Sequence, residues 1–234
     1  MSGINSGLEA LRLYDTPTIC NGLEVLDARH RRGGFTRAQG ILAPSHLVRP
    51  EGHRAICGPA LTARIRANDP HGMEPREAAE RRYAWYERVA ANPGCVIVIE
   101  DTDETPVGAF WGEVHSALHR ALGAAGCVTN GVVRDLDDLD EGFPILAGSV
   151  LPSHAHVRLT GWGEGASVLG LDVAEGDLIH ADAHGAVIVP LDAVAALPEA
   201  IAQVQAKERR LLDLAADPPI DRGALRAALG LEEG

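Results

Sequence analysis

Apolar and polar positions follow two different periods along the chain, and together they predict short strands separated by amphipathic helices. Residues 55–66 (AICGPALTARIR) end in strict alternation, with apolar positions 61, 63 and 65 between polar positions 62, 64 and 66, which predicts a strand. The apolar run 95–100 (CVIVIE) predicts a buried strand. Between them, residues 74–91 have helical spacing, and Asn92-Pro93-Gly94 predicts the end of that helix. This order indicates an α/β fold.

The remaining elements are predicted in the same way. The predicted helices cover a segment that starts at Thr16-Pro17, residues 112–125, about 191–215 with a kink at Leu197-Pro198, and 221–229. The predicted strands lie at 127–130 and near 144–150, 154–160, 166–171, 177–181 and 185–190. The chain is therefore interpreted as a single α/β domain over residues 1–234, with 191–234 as a C-terminal helical segment.

Composition and charge narrow the classes of partner. The 33 acidic residues outnumber the 21 basic ones, and the formal net charge is -12. Because binding to nucleic acid or to an anionic membrane needs a basic face, neither is predicted as a partner. Cys20, Cys57, Cys95 and Cys127 are far apart and form no CxxC motif, so reduced thiols are expected. The chain shows no leader and no apolar run of membrane length, so a cytoplasmic location is predicted.

Candidate chemistry concentrates between residues 108 and 135. Gly112-Glu113 begins a predicted helix, and Arg134-Asp135 follows the next predicted strand. In α/β folds, the carboxyl ends of strands and the adjacent helix N-termini meet in one crevice, where helix N–H groups suit an anion. A carboxylate beside an arginine suits magnesium that keeps part of its water shell. From the residue types alone, an Arg-Asp surface pair is an equally good explanation.

The spacing Glu113-X20-Arg134-Asp135 and several further segments resemble one known family. The supporting segments are TPTICNGLEVLD, ICGPALTARI, PGCVIVIED, GAFWGE, AGCVTNGVVRDLDDL and EGDLIHADAHGAVIVP, in that order over roughly residues 10–210. The chain resembles the RraA-like family, which includes the 4-hydroxy-4-methyl-2-oxoglutarate / 4-carboxy-4-hydroxy-2-oxoadipate aldolases. The resemblance implies a swivelling β/β/α-type fold and a class II pyruvate aldolase that also decarboxylates oxaloacetate.

The resemblance also implies a role for each residue of the motif. Asp135 would coordinate Mg²⁺ or Mn²⁺ directly, and Glu113 would hold a metal-bound water. Arg134 would contact the 2-oxo acid substrate and stabilise its enolate. Backbone amides near Val114 and His115 would receive the substrate carboxylate. With these roles, the resemblance implies that the chain is a metal-dependent carbon–carbon lyase.

The family's members assemble as homotrimers or hexamers with active sites at subunit interfaces. A glutamate of the neighbouring subunit supports the metal waters in the family, and Glu208 is the candidate here, with Glu199 as a weaker choice. The family also contains a non-catalytic regulator of ribonuclease activity, which is the alternative function. Retention of Glu113 favours catalysis. A quinone-precursor methyltransferase is discounted, because no Gly-rich nucleotide loop followed by an acidic residue is present.

Several histidines remain outside the motif. His154 and His156 are two residues apart, which on a strand favours a polar face over a zinc site. His180 and His184 flank Asp182, which fits the closing family pattern and is expected to be structural. His115 itself is either a substrate contact or a helix-surface residue. The stretches 149–176 and 69–86 depart from the commoner family pattern, and the latter contains Arg81 and Arg82. These two stretches either line the site or form solvated surface.

Overall fold

The computed structural model describes residues 2–44, 55–70 and 72–231, with side chains from residue 7 onward. Residues 232–234 of the predicted C-terminal segment lie outside the described residues. The helices are α1 (Ser2–Leu11), α2 (Thr16–Leu26), α3 (Pro75–Ala90), α4 (Glu113–Ala121), α5 (Leu197–Ala215) and α6 (Arg222–Ala228), with a short 3-10 helix at Ala28–Arg32. The strands are β1 (Ile41–Ala43), β2 (Ile56–Arg66), β3 (Val96–Asp101), β4 (Ala109–Trp111), β5 (Gly126–Thr129), β6 (Val132–Val133), β7 (Ile145–Ala147), β8 (Ser149–Val150), β9 (Arg158–Trp162), β10 (Ala166–Val168), β11 (Leu171–Val173), β12 (Leu178–Asp182) and β13 (Gly185–Ile188).

A mixed sheet organises the domain around the long strand β2. The order is β1-β7-β5-β3-β2-β12-β13, and β9 joins by pairing with β2. The strands β2, β3, β5 and β7 run parallel, whereas β1, β9, β12 and β13 pair antiparallel with their neighbours. A separate parallel sheet has the order β4-β6-β8, and β10 pairs with β11 as a hairpin. The architecture is thus a mixed α/β domain with flanking helices, which confirms the predicted fold class.

Strand β3 shows why its sequence is a continuous apolar run. Ile97 and Ile99 pack with Trp85 of α3 in one buried cluster. Val96 and Val98 point to the opposite face and pack in a second cluster with the β10–β11 hairpin. Because successive side chains of a strand point to opposite faces, both sets are buried and no polar position interrupts them.

Helix α2 is fixed to the sheet by polar side chains of β12. The Asp15 carboxylate caps α2 by accepting the N–H of Thr18 at 2.9 Å. The Asp182 carboxylate accepts the N–H of Thr16 at 2.8 Å, and the His180 Nδ1 lies 3.1 Å from the Thr16 hydroxyl. Because His180 is fully buried and Asp182 nearly so, both serve the packing of α2 on β12, as expected for Asp182.

Among the predicted elements that differ from the structure, three have a local cause in the chain. The predicted strand 166–171 is the β10–β11 hairpin, because Leu169 (φ 50°) and Gly170 (φ 78°) both take the left-handed conformation that a two-residue hairpin turn needs. The helix predicted to start near 191 begins at Leu197, and Pro198 lies in its first turn, where it causes no kink. The helix predicted to reach residue 125 ends at Ala121, before Gly123 with a φ of 95°.

The cysteine prediction is confirmed, since all four thiols are free. Within the described ranges, no helix is both long and apolar enough to cross a membrane.

Candidate functional site

Two short parallel strands bring the motif residues together. Strand β4 leads into α4, and β6 leads into Arg134 and Asp135. The pairing places Ala109 opposite Val132 and Trp111 opposite Val133, so both strands end at the same edge. The Arg134 N–H then donates to the Trp111 carbonyl at 2.9 Å. The N-terminus of α4 and the Arg134-Asp135 pair consequently lie side by side.

The carboxylate of Asp135 lies against both the helix start and the arginine. Its Oδ2 is 3.4 Å from the Glu113 backbone nitrogen and 3.3 Å from the Arg134 Nε. Asp135 adopts a φ of 54°, a left-handed conformation that is uncommon for a non-glycine residue and marks a constrained position. The side chains of Arg134 and Asp135 remain 29% and 32% exposed, so solvent and a small ligand can reach them. The structure therefore brings Glu113, Arg134 and Asp135 into one surface cluster.

Gly112 makes this close approach possible. A Cβ at position 112 would lie 2.5 Å from the Asp135 Oδ2 and 3.2 Å from the Arg134 Cγ. Gly112 is also the N-cap of α4, and as a glycine it has no side chain to accept the following N–H groups. Since the first N–H groups of a helix lack an intrahelical acceptor, the amides of Val114 and His115 are donors suited to an anion.

Behind this helix start, both ring nitrogens of the buried His119 have a hydrogen-bond partner. The Trp85 Nε1 donates to the His119 Nε2 at 2.9 Å, and the His119 Nδ1 lies 2.7 Å from the His115 carbonyl oxygen. A carbonyl oxygen only accepts, so the proton is on Nδ1 and His119 is neutral. Burial lowers the pKa of His119 to about 4, which agrees with this assignment.

His115 lies in the first turn of α4 and faces an aromatic wall. Its ring centroid is 4.4 Å from that of Phe110 in an edge-to-face arrangement. Its Nδ1 is buried and has no hydrogen-bond partner among the described residues. Burial, followed by the charges of His119, Arg82 and other neighbours, lowers the pKa of His115 to about 3. His115 is therefore not a solvated helix-surface residue.

A cavity of about 410 Å³ adjoins this imidazole. Its walls come from α3, from Phe110 and His115, and from residues 154–159. His154 and His156 belong to this wall, but they precede β9 in a turn instead of lying on the predicted strand, so the expected strand face is wrong. No group of three or more His, Cys, Asp or Glu that could hold a metal occurs within residues 7–44, 55–70 and 72–231.

One further buried carboxyl lies at the end of β3. Asp101 is 2% exposed, and its Oδ2 has no hydrogen-bond partner in the part of the chain that the structure describes. Burial raises the pKa of Asp101 to about 6. The neighbouring Asp103 instead accepts the Asn68 N–H at 2.9 Å and pairs with Arg66 at 3.0 Å, so its carboxylate is well satisfied.

The candidate glutamates of α5 lie elsewhere in this chain. Glu208 lines a shallow cavity of about 310 Å³ with Glu24 and Arg31, on the side formed by α2 and α5. Glu113, Arg134 and Asp135 are not part of that lining. Glu199, the weaker choice, lies in the first turn of α5. The structure of one chain therefore does not bring either residue to the cluster.

Sequence reasoning singled out Arg81, Arg82 and the 154–156 segment without joining them to His115. The buried partner Trp85 and the spacing role of Gly112 were missed. For Gly112 the signal was its place directly before Glu113 in the GAFWGE segment. For Trp85 the signal was an aromatic residue on the apolar face of a highly charged helix.

A family model and related proteins place this chain among known sequences. A family model described as RraA-like, Aldolase/RraA, matches residues 16–188. An uncharacterised protein of Methanocaldococcus jannaschii is 25% identical over 173 residues, which is 72% of this chain and 77% of that protein.

Solved structures share the fold at lower identity. An uncharacterised protein from Pseudomonas syringae pv. tomato aligns with a TM-score of 0.69 and 21% identity, over 95% of this chain and 94% of the neighbour. A Streptomyces coelicolor protein, an unusual member of the RraA family of RNase ES inhibitors, aligns with a TM-score of 0.61 and 22% identity, over 87% and 92% of the two chains. The family-model match covers most of the chain, and the chain therefore belongs to the RraA-like family.

Proposed function

We propose that this protein is a divalent-metal-dependent carbon–carbon lyase that cleaves a 4-hydroxy-2-oxo diacid to pyruvate and also decarboxylates oxaloacetate. The observation that carries the proposal is the convergence of Glu113, Arg134 and Asp135 at the N-terminus of α4, whose N-cap is Gly112. A carboxylate, a guanidinium and free helix N–H groups within one small surface area match the needs of a 2-oxo acid and a cation. A ligand of this kind is itself an anion, so the arginine and the helix start would bind it.

The donor set fits Mg²⁺ or Mn²⁺. Asp135 offers carboxylate oxygens at a position that is about one-third exposed. Gly112 lies against this carboxylate, and Glu113 is the next residue along the chain. Mg²⁺ is usually held by one or two carboxylates and keeps several waters, which agrees with a cluster that is not an all-protein cage. We propose that Asp135 would hold the cation directly and that Glu113 would act through water. A bound cation would supply Lewis-acid polarisation of the 2-oxo group.

The protein's own groups account for binding and charge stabilisation. The N–H groups of Val114 and His115 would receive the substrate carboxylate, because helix N-termini carry unpaired donors and partial positive charge. The Arg134 guanidinium would stabilise the negative charge that develops on the 2-oxo oxygen when the carbon–carbon bond breaks. The backbone bond from Arg134 to Trp111 fixes the direction in which this side chain leaves β6.

Pyruvate release tests the proposal. Purified protein would be assayed with 4-hydroxy-4-methyl-2-oxoglutarate and with oxaloacetate, in Mg²⁺, in Mn²⁺ and after EDTA treatment. Asp135→Asn keeps the shape of the side chain but removes its charge, so turnover should fall by about 100-fold or more. Asp137→Asn is the matched control, since Asp137 is exposed and only two residues away.

Two results would overturn the proposal. One is the absence of pyruvate from both substrates with metal-replete protein, and the other is full activity of Asp135→Asn. Retention of ribonuclease E in a pull-down, together with no lyase activity, would instead favour the protein-binding regulator.

We also propose a homotrimer or hexamer in which Glu208 of a neighbouring subunit completes the site. The location of Glu208 on the α2–α5 side of its own chain supports a role across an interface. Light scattering on the purified protein measures the assembly, and a monomer that is fully active would contradict this arrangement.

A further inference from the structure

The cavity beside His115 is lined by cationic and neutral groups in a chain whose net charge is -12. Three arginines, Arg81, Arg82 and Arg158, and three histidines, His115, His154 and His156, line it, and none of the described lining residues is acidic. The apolar part of the wall includes Phe110 and Leu159. This local charge is opposite to that of the molecule as a whole, which marks the cavity as a place for an anion.

Two of the arginines are held by carbonyl oxygens, and neither has an ion pair among the described residues. Arg81 donates to the main-chain carbonyls of Leu159 and Thr160, and its guanidinium carbon lies 5.2 Å from the centre of the Trp162 ring. Arg158 donates to the Asp69 carbonyl at 2.8 Å. Carbonyl oxygens satisfy the N–H groups but carry no full charge, so both guanidinium groups still contribute a positive potential.

Arg82 differs from these two arginines because it has no hydrogen bond or ion pair among the residues that the structure describes. It lies one position after Arg81 on α3 and contributes to the cavity wall. His115 lines the same cavity, and its Nδ1 is buried and lacks a partner among the described residues. A guanidinium that has no partner among the described residues, in the wall of a cavity with two further arginines, is suited to a carboxylate ligand.

The cavity borders the motif cluster. His115 follows Glu113 by two positions in the first turn of α4 and lines the cavity. The charges of Arg82, His154 and Arg134 all contribute to lowering the pKa of this imidazole. A ligand with one end at the start of α4 therefore has its other end within reach of the cavity.

We propose that the cavity binds a second carboxylate of the substrate, at the end of the molecule remote from the 2-oxo acid group, with Arg82 as its main contact. This inference rests on the proposed function, because it takes the 2-oxo acid end to lie at the N-terminus of α4. Arg82 binds the distal carboxylate with a charge-assisted hydrogen bond, and the His115 imidazole supplies a neutral polar contact. The protein is thereby selective for dicarboxylic 2-oxo acids over those with an apolar end.

Binding of a matched pair of stable ligands tests this selectivity without turnover. 2-Oxoglutarate and 2-oxopentanoate share the 2-oxo acid group and the chain length, and they differ only in a terminal carboxylate against a methyl group. Isothermal titration in Mg²⁺ should give a lower Kd for 2-oxoglutarate. The preference is the Kd of 2-oxopentanoate divided by the Kd of 2-oxoglutarate. In Arg82→Gln this ratio should fall by about 10-fold or more, as expected for loss of a charged hydrogen bond.

Arg76→Gln is the control variant on the same helix, because Arg76 is 91% exposed, pairs with Glu80 and lies outside the cavity wall. It should leave the ratio of Kd values as in the unmodified protein. Arg82→Lys keeps the charge and should retain most of the preference. Circular dichroism of each variant checks that it is folded.

The outcomes separate this inference from the proposed reaction. A preference for 2-oxoglutarate that Arg82→Gln removes, in a protein that releases no pyruvate, supports the anion site and rejects the lyase. Pyruvate release with no preference between the two ligands, or with a preference that Arg82→Gln leaves intact, overturns the anion site and keeps the lyase.

Discussion

Replacement of Gly112 by alanine should disable the motif cluster while leaving the fold intact. The new Cβ would lie 2.5 Å from the Asp135 Oδ2 and 3.2 Å from the Arg134 Cγ. An ordinary carbon–oxygen contact is about 3.4 Å, so the carboxylate would have to move by about 0.9 Å. A displacement of about 1 Å at a catalytic group costs about 100-fold in rate, and we expect kcat/KM to fall by that factor. Gly112 has an extended φ of -170°, so alanine adds no backbone strain.

The assay couples pyruvate release to lactate dehydrogenase and follows NADH absorbance. Gly161→Ala in β9 is the control, because its Cβ would meet no heavy atom within 4 Å. Loss of glycine at a helix N-cap costs about 1 kcal/mol, so thermal unfolding should show Gly112→Ala still folded. If Gly112→Ala retained more than half of the activity of the Gly161→Ala control, the steric reasoning about Asp135 would be refuted.

Two further predictions concern the buried histidines. Burial holds the pKa of His119 at about 4 and that of His115 at about 3, below the ordinary 6.5. As pH falls, these histidines therefore take up protons in the unfolded chain before they do so in the folded protein. The free energy of unfolding consequently decreases between about pH 7 and pH 4. The pKa of Asp101 is raised from 3.8 to about 6, so this carboxyl opposes the decrease below pH 6. In urea unfolding, His119→Gln should lose less free energy of unfolding between pH 7.5 and 5 than the unmodified protein. An unchanged loss in His119→Gln would contradict the role of that residue. Trp85→Phe removes the donor to the buried His119 Nε2, so its free energy of unfolding in urea at pH 7.5 should be lower by about 1–3 kcal/mol. Tyr83→Phe, at a residue 63% exposed, should change this free energy little. Equal unfolding midpoints for the two aromatic variants would argue against the buried hydrogen bond.

The elements that sequence reasoning located correctly are those whose signal is local. Strand β3 is buried on both faces, so its apolar run is unbroken, and the charged face of α3 repeats at helical spacing. The motif residues could be named because their types and spacing are themselves the signal. Their grouping at one edge depends on β4 and β6, strands of three and two residues, which are too short for any periodicity to show.

The cavity beside His115 could not be predicted for a related reason. Its walls join α3, the start of α4 and the segment before β9, which are far apart along the chain. Whether Arg82 faces solvent or a cavity depends on what packs against α3, and no local pattern records that. The turn at Leu169 and Gly170 was missed because a leucine seldom adopts a positive φ, so the segment looked like one continuous strand.

The aromatic packing around His119 has a consequence for how this protein can be observed. All three tryptophans of the chain lie in this one region: the Trp85 and Trp162 rings are 6.2 Å apart, and Trp111 is 4.7 Å from His119. The apolar cluster that joins α1, α2 and α5 to β12 and β13 contains none of them. Intrinsic tryptophan fluorescence therefore reports on the α3–α4 side, and detachment of α5 would be visible by circular dichroism but silent in emission. Coincidence of the two signals during unfolding would show that both regions melt as one cooperative unit.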